Sequence, residues 1–142
     1  VSIKGRCTAI NYIEEDVVLT ILPERLGVCR FKNEMPYPDW LIKSGTFFSL
    51  TKTVDETSIV CREELIPADY PSEKGFRAFK VQGLLDFNVV GILSSLLNPL
   101  AADGITVFVI STYETDYILV KQENLEKAIR ALGTVATIIR ET

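Results

Sequence analysis

Apolar residues recur in the second half of the chain with two alternating periods. Phe76 to Val81 reads as a strand that ends at Gln82-Gly83. Between Asp86 and Ala102 the apolar positions Val89, Val90, Leu93, Leu96, Leu97 and Leu100 follow helical spacing, with Asp86 or Asn88 as N-cap and Gly104 as the stop. Pro99 inside that pattern costs a backbone hydrogen bond and predicts a kink or an early end. Ile105 to Ile110 is a β-branched run, apolar except for Thr106, as expected of a central strand covered on both faces. After the polar turn Ser111 to Thr115 come a strand, Asp116 to Val120, and a helix, Gln122 to Leu132, with Leu125, Ala128, Ile129 and Leu132 at helical spacing. Glu123 with Lys127 and Glu126 with Arg130 stand four residues apart on that helix, and Gly133 closes it. Val135 to Ile139 supplies a last strand. The order β-α-β-β-α-β is the ferredoxin-like arrangement, with both helices on one sheet face.

The first half is richer in strands. Asp16 to Leu22 and Gly27 to Lys32 flank the turn Pro23 to Leu26, a short helix is predicted around Tyr37 to Ile42, and strands follow at Thr46 to Thr51 and Ser58 to Arg62. Ile66 to Gly75, with two prolines and a glycine among polar residues, reads as a linker. The predicted division is a segment of unassigned role at 1–16, one half at 17–68 and another at 69–142, in the α+β class with antiparallel sheets. An internal echo supports duplication. Thr46 to Thr51 resembles Thr106 to Ser111 at an offset of 60 (46 to 106), and Ile59 to Glu64 parallels Ile118 to Glu123 at an offset of 59 (59 to 118), as a one-residue difference in the turn would give.

Composition narrows the function classes. With 142 residues, 47% of them hydrophobic, the chain can bury a substantial core. A formal charge of -4 with scattered Lys and Arg gives no basic footprint for nucleic acid. No apolar run approaches the ~20 residues that span a bilayer, so no membrane partner is expected. Val1 to Asp16 lacks the order of a signal peptide, and three cysteines, Cys7, Cys29 and Cys61, form no Cys-x-x-Cys motif. A reducing cytoplasm fits, with Cys29 and Cys61 as small buried hydrophobes. Without histidine the chain holds no Ser-His-Asp triad, Cys-His dyad or zinc-histidine site. An enzyme would have to draw on Asp86, Glu114, Asp116 and Lys80, which follow no recognised spacing, so the expectation is a protein that is not an enzyme and uses no cofactor or metal.

The motif Gly75-Phe76-Arg77-Ala78-Phe79-Lys80-Val81-Gln82-Gly83, followed by Gly91-Ile92-Leu93, Pro99-Leu100, Gly104-Ile105 and Ser111 to Val120, resembles the small bacterial two-ACT proteins related to the CASTOR arginine sensors. Gly45 to Thr51 and Thr57 to Cys61 carry the likeness into the first half, so that it covers roughly Leu22 to Gly133. The resemblance implies two tandem ACT-like halves, with an amino acid or similar metabolite bound between ACT modules for allosteric regulation. By analogy, the backbone of Gly104, Ile105, Thr106 and Val107 would form one wall of the site and Ser111, Thr112, Tyr113 and Asp116 the facing wall.

A zwitterion taken out of water needs paired donors and acceptors. Asp116 would accept from an ammonium or bond the turn amides; Tyr113 would wall a side chain or cover core; Ser111 and Thr112 serve equally as turn formers. Asp86 and Asn88 would orient a polar ligand or cap the helix. Arginine sensors of this kind carry an acidic residue two positions before the helix glycine, where this chain has Val89. A valine cannot pair with a guanidinium, which favours a smaller or less basic ligand, or none. A homodimer is expected, and the competing function is a ligand-free dimerisation or protein-interaction module.

Overall fold

The computed structural model describes residues 17–31, 37–82 and 91–141. Segment 1–16 with Cys7, and the positions Asp86, Asn88 and Val89, lie outside the described residues. The elements in chain order are β1 (Val18–Ile21), β2 (Leu26–Phe31), α1 (Asp39–Ile42), β3 (Phe48–Lys52), β4 (Thr57–Arg62), β5 (Ser72–Gln82), α2 (Ile92–Ala102), β6 (Phe108–Ser111), β7 (Asp116–Lys121), α3 (Leu125–Leu132) and β8 (Thr137–Arg140). Single 3-10 turns, Glu63–Leu65 and Gln122–Asn124, follow β4 and β7. The contacts divide into two units. Unit 1 takes the chain through Pro23 and again from Arg77, and unit 2 is Glu24–Phe76.

In unit 1, the part of β5 beyond Arg77 lies between β1 and β7, and β7 pairs in turn with β6. β1 runs antiparallel to β5, with Val18 opposite Gln82 and Ile21 opposite Phe79, and parallel to β8, with Val18 opposite Thr137 and Ile21 opposite Arg140. Alternation sends Leu19 and Ile21 of β1, Phe79 and Val81 of β5, and Ile118 and Val120 of β7 to one face. There they share a core with Leu96 and Leu100 of α2 and Leu125, Ala128 and Leu132 of α3. Both helices therefore cover one sheet face, the ferredoxin-like layering that the order of elements predicts.

In unit 2, β3, β4, β2 and the first part of β5 form an antiparallel sheet in that order. Its core gathers Cys29, Phe31, Leu41, Ile59, Cys61 and Ile66. Among the described residues no helix follows the 3-10 turn Glu63–Leu65; Leu65, Ile66 and Tyr70 pack there instead, with the Tyr70 ring edge-on to Trp40 at 6.2 Å.

Several expectations need correction. The strand at Val18–Ile21, placed by sequence with the first half, pairs with β5 and β8 of unit 1. Ser72 to Gly75, read as linker, opens β5, because β2 offers these residues a ladder. The run from Ile105 is not a central strand: β6 starts at Phe108 and pairs only with β7 among the described strands. The helix passes Pro99 and continues to Ala102. Pro99 has no N-H for the Ser95 carbonyl, and the helix bears that loss and completes its last turn. Gly133 ends α3 at φ -62, not in a left-handed cap. Glu126 pairs with Arg140 of β8 at 2.6 Å, not with Arg130.

Candidate functional site

The first proposed wall begins as a helix cap. Gly104 has φ +70, a conformation that side chains resist, and its N-H donates to the Ala101 carbonyl at 3.0 Å while the Ile105 N-H donates to Leu100 at 2.9 Å. These two bonds make a Schellman motif, and the accompanying apolar contact is supplied by Ile105 and Leu100, both buried in the unit 1 core. The N-H groups of Gly104 and Ile105 are thus consumed by the helix end. Among the described residues no backbone hydrogen bond engages Thr106 or Val107, which stand between the cap and the ladder of β6. Of the four residues expected to offer backbone to a ligand, these two have donors and acceptors to give.

The second wall is a hairpin turn. The Thr112 N-H donates to the Thr115 carbonyl at 2.8 Å, and the Thr115 N-H returns to the Thr112 hydroxyl at 3.2 Å. Ser111 and Asp116 are directly opposite in the ladder, and the Ser111 hydroxyl donates to Asp116 Oδ1 at 2.6 Å. One Asp116 oxygen is thereby committed to the hairpin. Tyr113 is 86% exposed, so it covers no core. Thr115, which sequence reading passed over, is buried and donates its hydroxyl to the Val81 carbonyl.

The two walls occupy opposite ends of β6. The strand alone separates them by about 10 Å, and the carboxylate and ammonium of one α-carbon cannot reach both. The structure brings Ser111, Thr112 and Asp116 together, and separately Gly104 to Val107, but does not join the two groups within unit 1.

The same hairpin is built in unit 2. Thr53 donates its N-H to Glu56 at 2.8 Å, and its hydroxyl accepts from Asp55 and Glu56. Ser49 opposes Val60 as Phe108 opposes Leu119, and Gly45 at φ +67 stands where Gly104 does. Every one of these positions is related by 59 residues (Gly45 to Gly104, Ser49 to Phe108, Thr53 to Thr112). Both turns hold four residues, so the offset of 60 read for the first strand is one too large. Matching similar residues slipped the register by one, a shift that exchanges the two faces of a strand.

Two further groups, Arg77 and Glu63, escaped the sequence reading because their roles depend on partners far along the chain, whereas the two strand cysteines are buried as expected. Arg77 of β5 donates Nη1 to Gln122 Oε1 at 3.1 Å and Nη2 to the Leu22 carbonyl at 3.0 Å. Glu63 Oε1 accepts the Gly75 N-H at 2.9 Å. Cys29 and Cys61, both buried and free, are diagonal neighbours on β2 and β4. Burial pushes the Cys61 thiol up to about 12, with Cys29 and Glu64 adding to the shift; burial also raises Cys29, against the pull of Lys74. Among the described residues no group of three or more Cys, Asp or Glu side chains is placed to hold a metal ion.

The family model for the ACT domain matches residues 71–134, and a second model, describing an N-terminal domain, matches residues 24–69. A solved structure from Agrobacterium tumefaciens is 36% identical and covers 89% of this chain and 94% of its own, with a TM-score of 0.82. This chain belongs to the ACT domain family. Among curated relatives of this ACT protein, the human cytosolic arginine sensor for mTORC1 subunit 1 is 31% identical over 106 residues, 67% of this chain. The chain spans 32% of that sensor's length. The ACT fold is shared with the ligand-free regulatory subunit of aspartate kinase from Thermus thermophilus, at 10% identity and a TM-score of 0.59, covering 82% of this chain and 95% of that one. Among the described residues no helix is long and apolar enough to cross a membrane.

Proposed function

We propose that this ACT chain is a regulatory or sensor module that binds an amino acid or similar small metabolite at an interface between ACT modules. It acts without catalysis, as a cytoplasmic homodimer. The observation that carries the reading is the backbone of Thr106 and Val107, adjacent to a tight helix cap and used by neither cap nor ladder. A zwitterion needs donors and acceptors together, and two consecutive peptide groups supply both. The separation of the walls along β6 supports an interface site: a ligand held at Thr106 and Val107 meets a Ser111 to Asp116 wall only when a second module supplies it. The name of the human relative, an arginine sensor of the cytosol, supports amino-acid recognition as the class of function and the cytoplasm as its place. Val89 in place of an acid argues for an effector less basic than arginine.

A second reading, a ligand-free interaction module, is favoured by β6 itself, an apolar strand that pairs on one side only among the described strands. Calorimetry and thermal melts with each standard amino acid, at about millimolar concentration to reach weak sites, separate the two. Saturable heat with at least one amino acid, abolished by Val107→Pro, which removes one wall donor, is expected. A stable dimer by sedimentation that responds to no amino acid overturns sensing and leaves the interaction module.

A further inference from the structure

The chain leaves unit 1 after Pro23 and returns to it at Arg77. At this crossing the ladder is interrupted: in unit 1 it ends with the Leu22 N-H donating to Ala78, and in unit 2 it begins with Leu26 opposite Phe76. Where a ladder stops, peptide groups are left without ladder partners. The Leu22 carbonyl, opposite Ala78, accepts instead from the Arg77 guanidinium at 3.0 Å. Gln122 holds the other arm of the guanidinium at 3.1 Å.

On the unit 2 side the partner is Glu63. Its N-H donates to the Arg25 carbonyl at 3.0 Å, and its carboxylate accepts the Gly75 N-H at 2.9 Å. Glu63 and Gln122 are each the first residue of a 3-10 turn and are 59 residues apart (63 to 122), the offset of the duplicated hairpins. The same position of each half therefore reaches β5, one on either side of the crossing.

We infer that these are two clasps: Arg77 with Gln122 anchors Leu22 within unit 1, and Glu63 anchors Arg25 and Gly75 within unit 2, so that each unit holds its own end of the chain against local opening where the chain leaves it. Arg77 and Gln122 are positioning residues, and the inference stands whether or not an effector binds. A guanidinium with two planar acceptors is held in one orientation, which a lysine cannot reproduce.

Amide hydrogen exchange on the full chain tests the inference in Arg77→Ala, Gln122→Ala and Glu63→Ala variants. Arg77→Ala and Gln122→Ala are each expected to speed exchange at the Leu22 amide by about tenfold or more, with β3 and β4 amides within about twofold of wild type. Glu63→Ala is expected to act at Gly75 and spare Leu22. Equal acceleration at Leu22 and in β4 on loss of Arg77 overturns the clasp in favour of general destabilisation. So does a Gln122→Ala protein whose Leu22 amide exchanges as in wild type; that variant decides the matter alone if Arg77→Ala does not fold.

Discussion

At the scale of single residues, burial governs Cys61 in a way that pH makes measurable. The thiol has no exposure, and its proton is held up to about 12, from an ordinary value of 9.0. An unfolded chain releases that proton near 9, whereas the folded chain keeps it to about 12. Between these values the native state binds more protons, so stability falls as pH rises through the window and is complete below it. Urea unfolding at pH 8 and pH 11 should show a larger loss for wild type than for Cys61→Ala, the remaining titrations being common to both. Equal losses would refute this account of the thiol. The same residue shows what sequence makes legible: a cysteine in an apolar strand reads correctly as a small core residue. Thr115 shows the limit. A threonine in a polar turn looks solvent-bound, and only the passage of Val81 beside it turns its hydroxyl into a buried donor.

The elements that α2 and β6 form depend on one glycine between them. Alanine at Gly104 meets no atom within 4 Å, so its cost is that of the backbone conformation alone. Gly104→Ala should lower stability by about 1 kcal/mol, read from urea melts, and an unchanged midpoint would mean that the cap tolerates a β-carbon. Apolar spacing revealed the two described helices of unit 1 and its described strands, because periodicity reports which side of an element meets the core. It could not divide Ile105 to Ile110 between two duties. Ile105 is apolar because it completes the cap of α2, and Phe108 to Ile110 because they form β6. Read as one run, they imitate a central strand. Edge or centre is decided by hydrogen-bond partners, which leave no trace in hydropathy. The residues proposed for the ligand came from the family resemblance and not from apolar spacing, and the use of the Gly104 and Ile105 N-H groups in the cap left no mark in the sequence.

For the whole molecule, the order of strands in space departs most from their order in the chain. Unit 2 is an excursion from unit 1, and among the described strands β8 pairs only with β1. A fragment Asp69–Thr142, which the sequence division treats as a complete half, lacks β1 and so leaves β8 without the described strand it pairs with. Its amide spectrum should show no protected β8, and addition of a peptide spanning Val17–Pro23 should restore protection. A fragment that protects β8 by itself would show that β1 is dispensable. No local signal announces this pairing, since Val18 and Thr137 are brought together only by the complete unit. The insertion also bears on the order of events as the chain emerges from the ribosome. Unit 2 has all its described strands once the first residues of β5 have appeared, whereas β1, made before any of them, waits for the last described strand on one side. Pairings so distant in sequence form slowly. Of the described strands, β1 is therefore the one left longest with an open edge during synthesis, and the one for which a chaperone would have the greatest use.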